Sequence, residues 1–186
     1  MFRVLVLDSL SDEGVEVFKA EGIEVDVRPP QKPAELAAII NDYDGLVVRS
    51  ATKVTAEALE GSSRMKVIGR AGAGTDNIDK DAATRHGIVV MNTPGGNTIS
   101  TCEHTFALMM ALCRNIPAAD ASMQAGRWDR KKFMGSELCG KTLGVVGVGR
   151  IGGALAKRAQ AFEMKVIAFD PIMTQLKADA LGVELV

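Results

Sequence analysis

From Leu143 to Gly152 the chain reads Leu-Gly-Val-Val-Gly-Val-Gly-Arg-Ile-Gly. Three glycines stand in the spacing G-x-G-x-x-G, directly after an apolar strand-like run and directly before a helical pattern, Ile151–Glu163. The bare spacing also occurs in ordinary tight turns, but between strand and helix it has a specific physical meaning. Gly147 permits the tight turn, Gly149 lets the backbone approach a pyrophosphate, and Gly152 lets helix and strand pack closely. The first helical turn offers unpaired N–H groups and the positive end of the helix dipole. Asp170 follows 18 residues after Gly152, at the end of the next strand, Lys165–Phe169. Its carboxylate would accept hydrogen bonds from the ribose hydroxyls of adenosine. It would also repel a 2′-phosphate, at about 4 kcal/mol for unit charges ~4 Å apart in a dielectric of 20. Pro171 follows, and no Arg or Lys comes before Lys177. The pattern therefore favours NAD over NADP; a glycine turn with no ligand is the alternative.

The rest of the chain alternates strands with helices. Val4–Leu7, Ile23–Val27, Gly45–Val48, Val67–Ile68 and Ile88–Met91 read as strands. Helices are expected after Ser11, over Ala34–Ile40, over Thr55–Leu59 and over Asp79–Arg85. Continuous apolar strands separated by helices imply a parallel sheet covered on both faces. The expected class is α/β: a flavodoxin-like, doubly wound unit over residues 1–97, then the first half of a Rossmann domain over 98–186. The second part opens on a long helix from Thr98 to about Arg114 and a second helix over Pro117–Gln124. It continues with strands Thr142–Val146 and Lys165–Phe169 and a weaker helix near Leu176–Leu181. With only two clear strands there, Val145, Val146, Val166, Ile167 and Phe169 are expected to lack a neighbouring strand on one edge.

Charge and cysteine usage exclude several classes. The net charge is −1, with no long block of either sign, which argues against nucleic-acid or membrane binding by bulk charge. The longest apolar run, Phe106 to Cys113, is far short of the ~20 residues needed to cross a bilayer. The N-terminus carries no signal-peptide pattern. Cys102, Cys113 and Cys139 are odd in number and lack metal-ligand spacing. A reducing, cytoplasmic setting without a metal site is expected.

A second constellation lies in the first unit. Arg49 and Ser50 follow one strand; Arg70, Ala71 and Gly72 end the next; Gly95, Gly96 and Asn97 close a third turn. In open parallel sheets ligands sit outside the carboxyl ends of the strands. Two guanidiniums with bare amide groups there suit a small carboxylate or phosphate compound. Equally, the arginines could pair with Asp76, Asp79 or Glu103 and only brace loops.

Four segments occur here in the order found in the D-2-hydroxyacid dehydrogenases. They are Val48-Arg-Ser-Ala-Thr-Lys-Val54, Gly69-Arg-Ala-Gly-Ala-Gly-Thr-Asp-Asn-Ile-Asp79, Val90-Met-Asn-Thr-Pro-Gly-Gly-Asn97 and the Gly147 fingerprint. The chain resembles that family over essentially its whole length. Lys131-Lys-Phe-Met-Gly135, Glu137-Leu138 and Gly140-Lys-Thr-Leu143 resemble the members acting on 3-phosphoglycerate.

The resemblance implies NAD-dependent oxidation of 3-phosphoglycerate to 3-phosphohydroxypyruvate, the first step of L-serine biosynthesis. It implies that Arg49, Ser50, Arg70 and Asn97 hold the substrate, and that the N–H groups of Ala71 and Gly72 receive its carboxylate. Ala73 would stand beside the nicotinamide, where relatives commonly have Thr. Arg150 and Ile151 would meet the pyrophosphate, and Asp170 the ribose. Arg130 and Lys131 resemble a basic cluster that reaches the substrate phosphate from a neighbouring subunit, or they form a solvated turn after Trp128. A homodimer or larger homo-oligomer through residues 98–140 is implied.

The family's catalytic Arg, Glu and His have no counterpart in this sequence, so no catalytic residue is assigned. His86 and His104 are expected to be surface or packing residues, and the chain alone to be inactive. It reads as part of a longer protein. Two alternatives stand beside this reading. One is a reductase of glyoxylate or hydroxypyruvate, which the extra bases Arg49, Arg130 and Lys131 disfavour. The other is a non-catalytic NAD-sensing protein like a co-repressor, which would need no Arg49, Arg70 or Asn97.

Overall fold

The computed structural model describes all 186 residues. They divide into two compact units, Met1–Gly96 and Asn97–Val186.

The first unit runs β1 (Arg3–Val6), α1 (Asp12–Ala20), β2 (Glu24–Val27), α2 (Pro33–Ile39), β3 (Gly45–Val48), α3 (Ala56–Leu59), β4 (Val67–Arg70), α4 (Lys80–Arg85) and β5 (Val89–Asn92). Ser11, Thr55 and Asp79 cap α1, α3 and α4: each side chain accepts from the N–H three residues on, taking up one orphan donor. The strands form one sheet in the order β2-β1-β3-β4-β5, and every pairing is parallel.

Right-handed crossovers then decide where the helices go. β1 to β2 steps one way across the sheet, and the three later steps run the other way. So α2, α3 and α4 share one face and α1 has the opposite face to itself. Leu5, Leu7, Leu36, Ile40, Tyr43, Leu46, Val48, Leu59 and Ile68 are buried in the three-helix face. Each such side chain contributes about 1.5–3 kcal/mol of burial. On the face of α1, a groove of about 520 Å³ stays open beside Val17, Phe18, Val47, Val67 and Met91.

The second unit runs α5 (Thr98–Cys113), α6 (Ile116–Gln124), a 3-10 turn (Arg130–Phe133), β6 (Thr142–Val146), α7 (Arg150–Ala161), β7 (Lys165–Phe169), α8 (Gln175–Leu181) and β8 (Glu184–Leu185). Its sheet is parallel, in the order β6-β7-β8. This corrects the two-strand expectation. β8 pairs with Ile167 and Ala168, so Val166, Ile167 and Phe169 lie on a central strand, and β6, which carries Val145 and Val146, is one of the two edges. Val145 and Val166 are buried in the core against α5 and α7, while Val146 on the bare face is 85% exposed. The buried residues of α7 are Ala156 and Ala159, small enough to let that helix lie close but individually removing little area from water.

Asp44 ties the start of β1 to the segment before β4. Its carboxylate accepts from Arg64 Nε and Nη2 and from the Arg3 N–H, which lowers its pKa to about 2. A carboxylate depressed on folding stabilises above the ordinary carboxylate range and loses that effect as pH falls through its native value. Asp44→Asn should therefore unfold at lower urea than the parent at pH 7. The gap should close between about pH 4 and pH 2, and a gap constant over that window would exclude this role.

Candidate functional site

The register of the first sheet sets Val48 beside Arg70 and Arg70 beside Asn92. Three strands thus end level, and the loops that leave them meet along one edge. Arg49 emerges from β3 exposed and enters none of the chain's ion pairs. With Ser50, Ala51, Asp8 and Arg28 it lines a cleft of about 550 Å³. Arg28 is held by Asp26, at 2.7 Å, so its charge is already answered.

Arg70 is the last residue of β4 and its side chain is only 12% exposed. Nε donates to the Arg49 carbonyl at 3.3 Å, and Nη1 lies 3.6 Å from Asp76. The bracing reading is thus met in part: Arg70 reaches Asp76, whereas Asp79 caps α4 and Glu103 lies 3.9 Å from Arg158. A side chain at Gly74 would crowd this pair, its Cβ falling 2.7 Å from Arg70 Nη1.

The amide groups of this turn differ from the expectation. The Ala71 N–H donates to the Val48 carbonyl at 2.9 Å and the Gly72 N–H to the Arg70 carbonyl at 2.8 Å. The first bond holds the turn to β3 and the second closes it on the last residue of β4 itself, so neither donor is open to a carboxylate. The next two, of Ala73 and Gly74, donate to nothing in the chain. Asn92 Nδ2 meanwhile holds the Ala73 carbonyl at 2.6 Å. No spacing rule separates spent amides from free ones, because their acceptors are set by a neighbouring strand for Ala71 and by the geometry of the turn itself for Gly72.

In the second unit the fingerprint glycines each show a separate need. Gly147 has φ +87°, the region in which a Cβ is strained. A Cβ on Gly152 would fall 2.1 Å from the Gly147 carbonyl oxygen, so only glycine lets α7 begin this close to the turn. A Cβ on Gly149 would meet nothing within 4 Å, so the space in front of the loop is open. Gly149 is the N-cap of α7 and brings no side-chain cap, which leaves the N–H groups of Arg150, Ile151 and Gly152 without a side-chain partner.

Asp170 is wired into the same loop. Oδ1 accepts from the Ile172 N–H at 3.0 Å and Oδ2 from the Val148 N–H at 2.8 Å, and these bonds hold its pKa below the ordinary carboxylate range. The carboxylate is therefore charged at neutral pH and fixed in place, with lone pairs left over for hydroxyl donors. Free amides at a helix N-terminus, a side-chain-free approach and an anchored acceptor fit the diphosphate and ribose of a dinucleotide.

Asn97 begins the second unit as the N-cap of α5, without a side-chain capping bond. Arg130 and Lys131 sit on the exposed 3-10 turn, in none of the chain's ion pairs, beside Trp128. His86 ends α4 and His104 lies on the outside of α5; both are exposed. The cysteines are free, no cluster of residues could hold a metal, and no helix is long and apolar enough to cross a membrane.

The family model described as D-isomer specific 2-hydroxyacid dehydrogenase, catalytic domain, matches residues 4–181, and the chain belongs to that family of oxidoreductases. It is 51% identical over 184 residues to the D-3-phosphoglycerate dehydrogenase of Archaeoglobus fulgidus, covering 99% of this chain and 35% of that protein. The chain thus spans about a third of the length of the curated relatives it matches. The TT0316 protein from Thermus thermophilus superposes with a TM-score of 0.88 at 33% identity, over 100% of this chain and 60% of that one. D-lactate dehydrogenase from Aquifex aeolicus, solved with NAD and lactic acid, gives 0.86 at 26% identity, over 98% and 55% of the two chains.

The close seat of α7 on its turn can be tested directly. Gly152→Ala should lower the stability of the chain in urea by about 1–3 kcal/mol, the usual cost of forcing extra volume into a packed site. An unchanged midpoint would mean that the loop can yield.

Proposed function

We propose that residues 1–97 form the substrate-binding domain and residues 98–186 the first part of the cofactor-binding domain of an NAD-dependent D-3-phosphoglycerate dehydrogenase. That enzyme oxidises 3-phosphoglycerate to 3-phosphohydroxypyruvate, the opening step of L-serine biosynthesis. The observation that carries the reading is Arg49, an unpaired guanidinium at level strand ends in a chain about half identical to relatives of that name.

NAD supplies the hydride acceptor when bound. Gly147, Gly149 and Gly152 leave room for its pyrophosphate, the N–H groups of Arg150 and Ile151 hold it, and Asp170 takes the ribose hydroxyls. Ala73 faces the nicotinamide. Arg70, Asn97 and Ser50 orient the substrate, and its carboxylate takes the N–H groups of Ala73 and Gly74 in place of those of Ala71 and Gly72. Its phosphate takes Arg49, joined by Arg130 and Lys131 of a neighbouring subunit.

Neither histidine is assigned as the acid–base group, so the 186-residue chain alone does not turn over. Segment 98–140 supports self-association: Leu112 on α5, Trp128 and Met134 are each more than 70% exposed, an apolar surface that water disfavours.

In the full-length enzyme, Arg49→Ala should raise KM for 3-phosphoglycerate about 10- to 100-fold, with KM for NAD unchanged. An unchanged KM would remove the phosphate assignment. Preference for glyoxylate or hydroxypyruvate over the phosphorylated acid would favour a reductase instead, and turnover by the 186-residue chain would overturn the account of catalysis. For the oligomer, sedimentation should show Leu112→Glu as monomer where the parent is a dimer or larger; an unshifted distribution would place the interface elsewhere.

A further inference from the structure

The loop from Arg49 to Thr52 is gripped from two sides by residues so far given no part in binding. Asp8, buried just past the end of β1, accepts from the N–H groups of Arg49 and Thr52, both at 2.9 Å. Its other oxygen accepts from the Thr52 hydroxyl at 2.5 Å. On the opposite side Asn77 Nδ2 donates to the carbonyls of Arg49 and Thr52, both at 2.7 Å. One side chain thus takes the donors of two residues, and the other takes the acceptors of the same two. Ser50 is left between them as part of an exposed tip.

The backbone below this grip is strained. Asp8 has φ +68° and Ser9 φ +49°, two successive non-glycine residues in the left-handed region. Such conformations persist where surrounding bonds over-determine them, and they concentrate at binding sites. The three bonds to the Asp8 carboxylate supply that determination.

We propose that Asp8 and Asn77 are positioning residues for substrate binding, clamping the Arg49–Thr52 loop so that the Arg49 guanidinium and the Ser50 hydroxyl are pre-organised for an anionic substrate. The proposal rests on the reading of Arg49 as a substrate residue. A loop whose donors and acceptors are both tied has little freedom left to lose on binding, and that freedom otherwise weakens affinity. Neither residue needs to touch the substrate.

The test compares Asp8→Ala, Asp8→Gly, Asp8→Asn, Asn77→Ala and Arg49→Ala in the full-length enzyme. Melting temperature, kcat and KM for both 3-phosphoglycerate and NAD are measured for each. Asp8→Ala and Asp8→Gly should each raise KM for 3-phosphoglycerate about tenfold or more, with kcat and KM for NAD within about threefold. Glycine accepts the left-handed backbone, so its failure to rescue separates the lost carboxylate from relieved strain. Asparagine keeps one acceptor oxygen and tolerates this backbone, so Asp8→Asn should stay within about threefold of the parent. Asn77→Ala should raise the same KM, and it decides the matter if the Asp8 variants do not fold.

A fall in melting temperature with KM unchanged in Asp8→Gly and Asn77→Ala would overturn the proposal, leaving a purely structural role. If Arg49→Ala raises KM and those two do not, the positioning idea alone fails. If Arg49→Ala itself changes nothing, the substrate reading fails and the proposal with it.

Discussion

In a parallel sheet each ladder fixes the register of the next strand, and the crossover connections make all strands point the same way. Val48, Arg70 and Asn92 are level for that reason alone. Their level ends let short loops converge, because a loop leaving one strand finds its neighbour's carbonyls within reach. The Ala71 N–H bonds the end of β3, the Thr93 N–H bonds Gly72, and Arg70 reaches back to Arg49. A slip of one residue between β3 and β4 would send Arg70 to the opposite face and dissolve this arrangement.

The second unit solves a different problem with less material. A helix start leaves backbone donors unpaired, and most helices cover them with a Ser, Thr or Asp cap. Three helices of the first unit do so, whereas α7 begins on a glycine and keeps its donors bare. The loop before it is held in place from outside: the Gly147 N–H bonds Phe169 and the Val148 N–H bonds Asp170. Bare donors and loop order thus involve separate sets of amides, so neither has to be given up for the other.

Sequence pattern revealed the element order, the parallel class and the fingerprint, since apolar period, capping residues and glycine spacing are local properties. Asp79 and Thr55 stand at helix starts as their chemistry requires. β8 escaped because two residues show no period, and the strand exists only through its pairing with β7. The spent amides of Ala71 and Gly72 escaped for a like reason: their acceptors are set by fold and turn geometry. Asp8 and Asn77 act on residues 25 to 44 positions away, beyond anything a local pattern records.

The open flank of β6 has a consequence for how the chain behaves as a material. An unpaired edge strand carries a row of free N–H and carbonyl groups, the template onto which another extended segment can add. Here that row borders a face with bare Val146 and Phe169, and the net charge of −1 gives little mutual repulsion between copies. Colloidal stability of the 186-residue chain is therefore governed by concentration and by what shields this flank, more than by the free energy of its folded core.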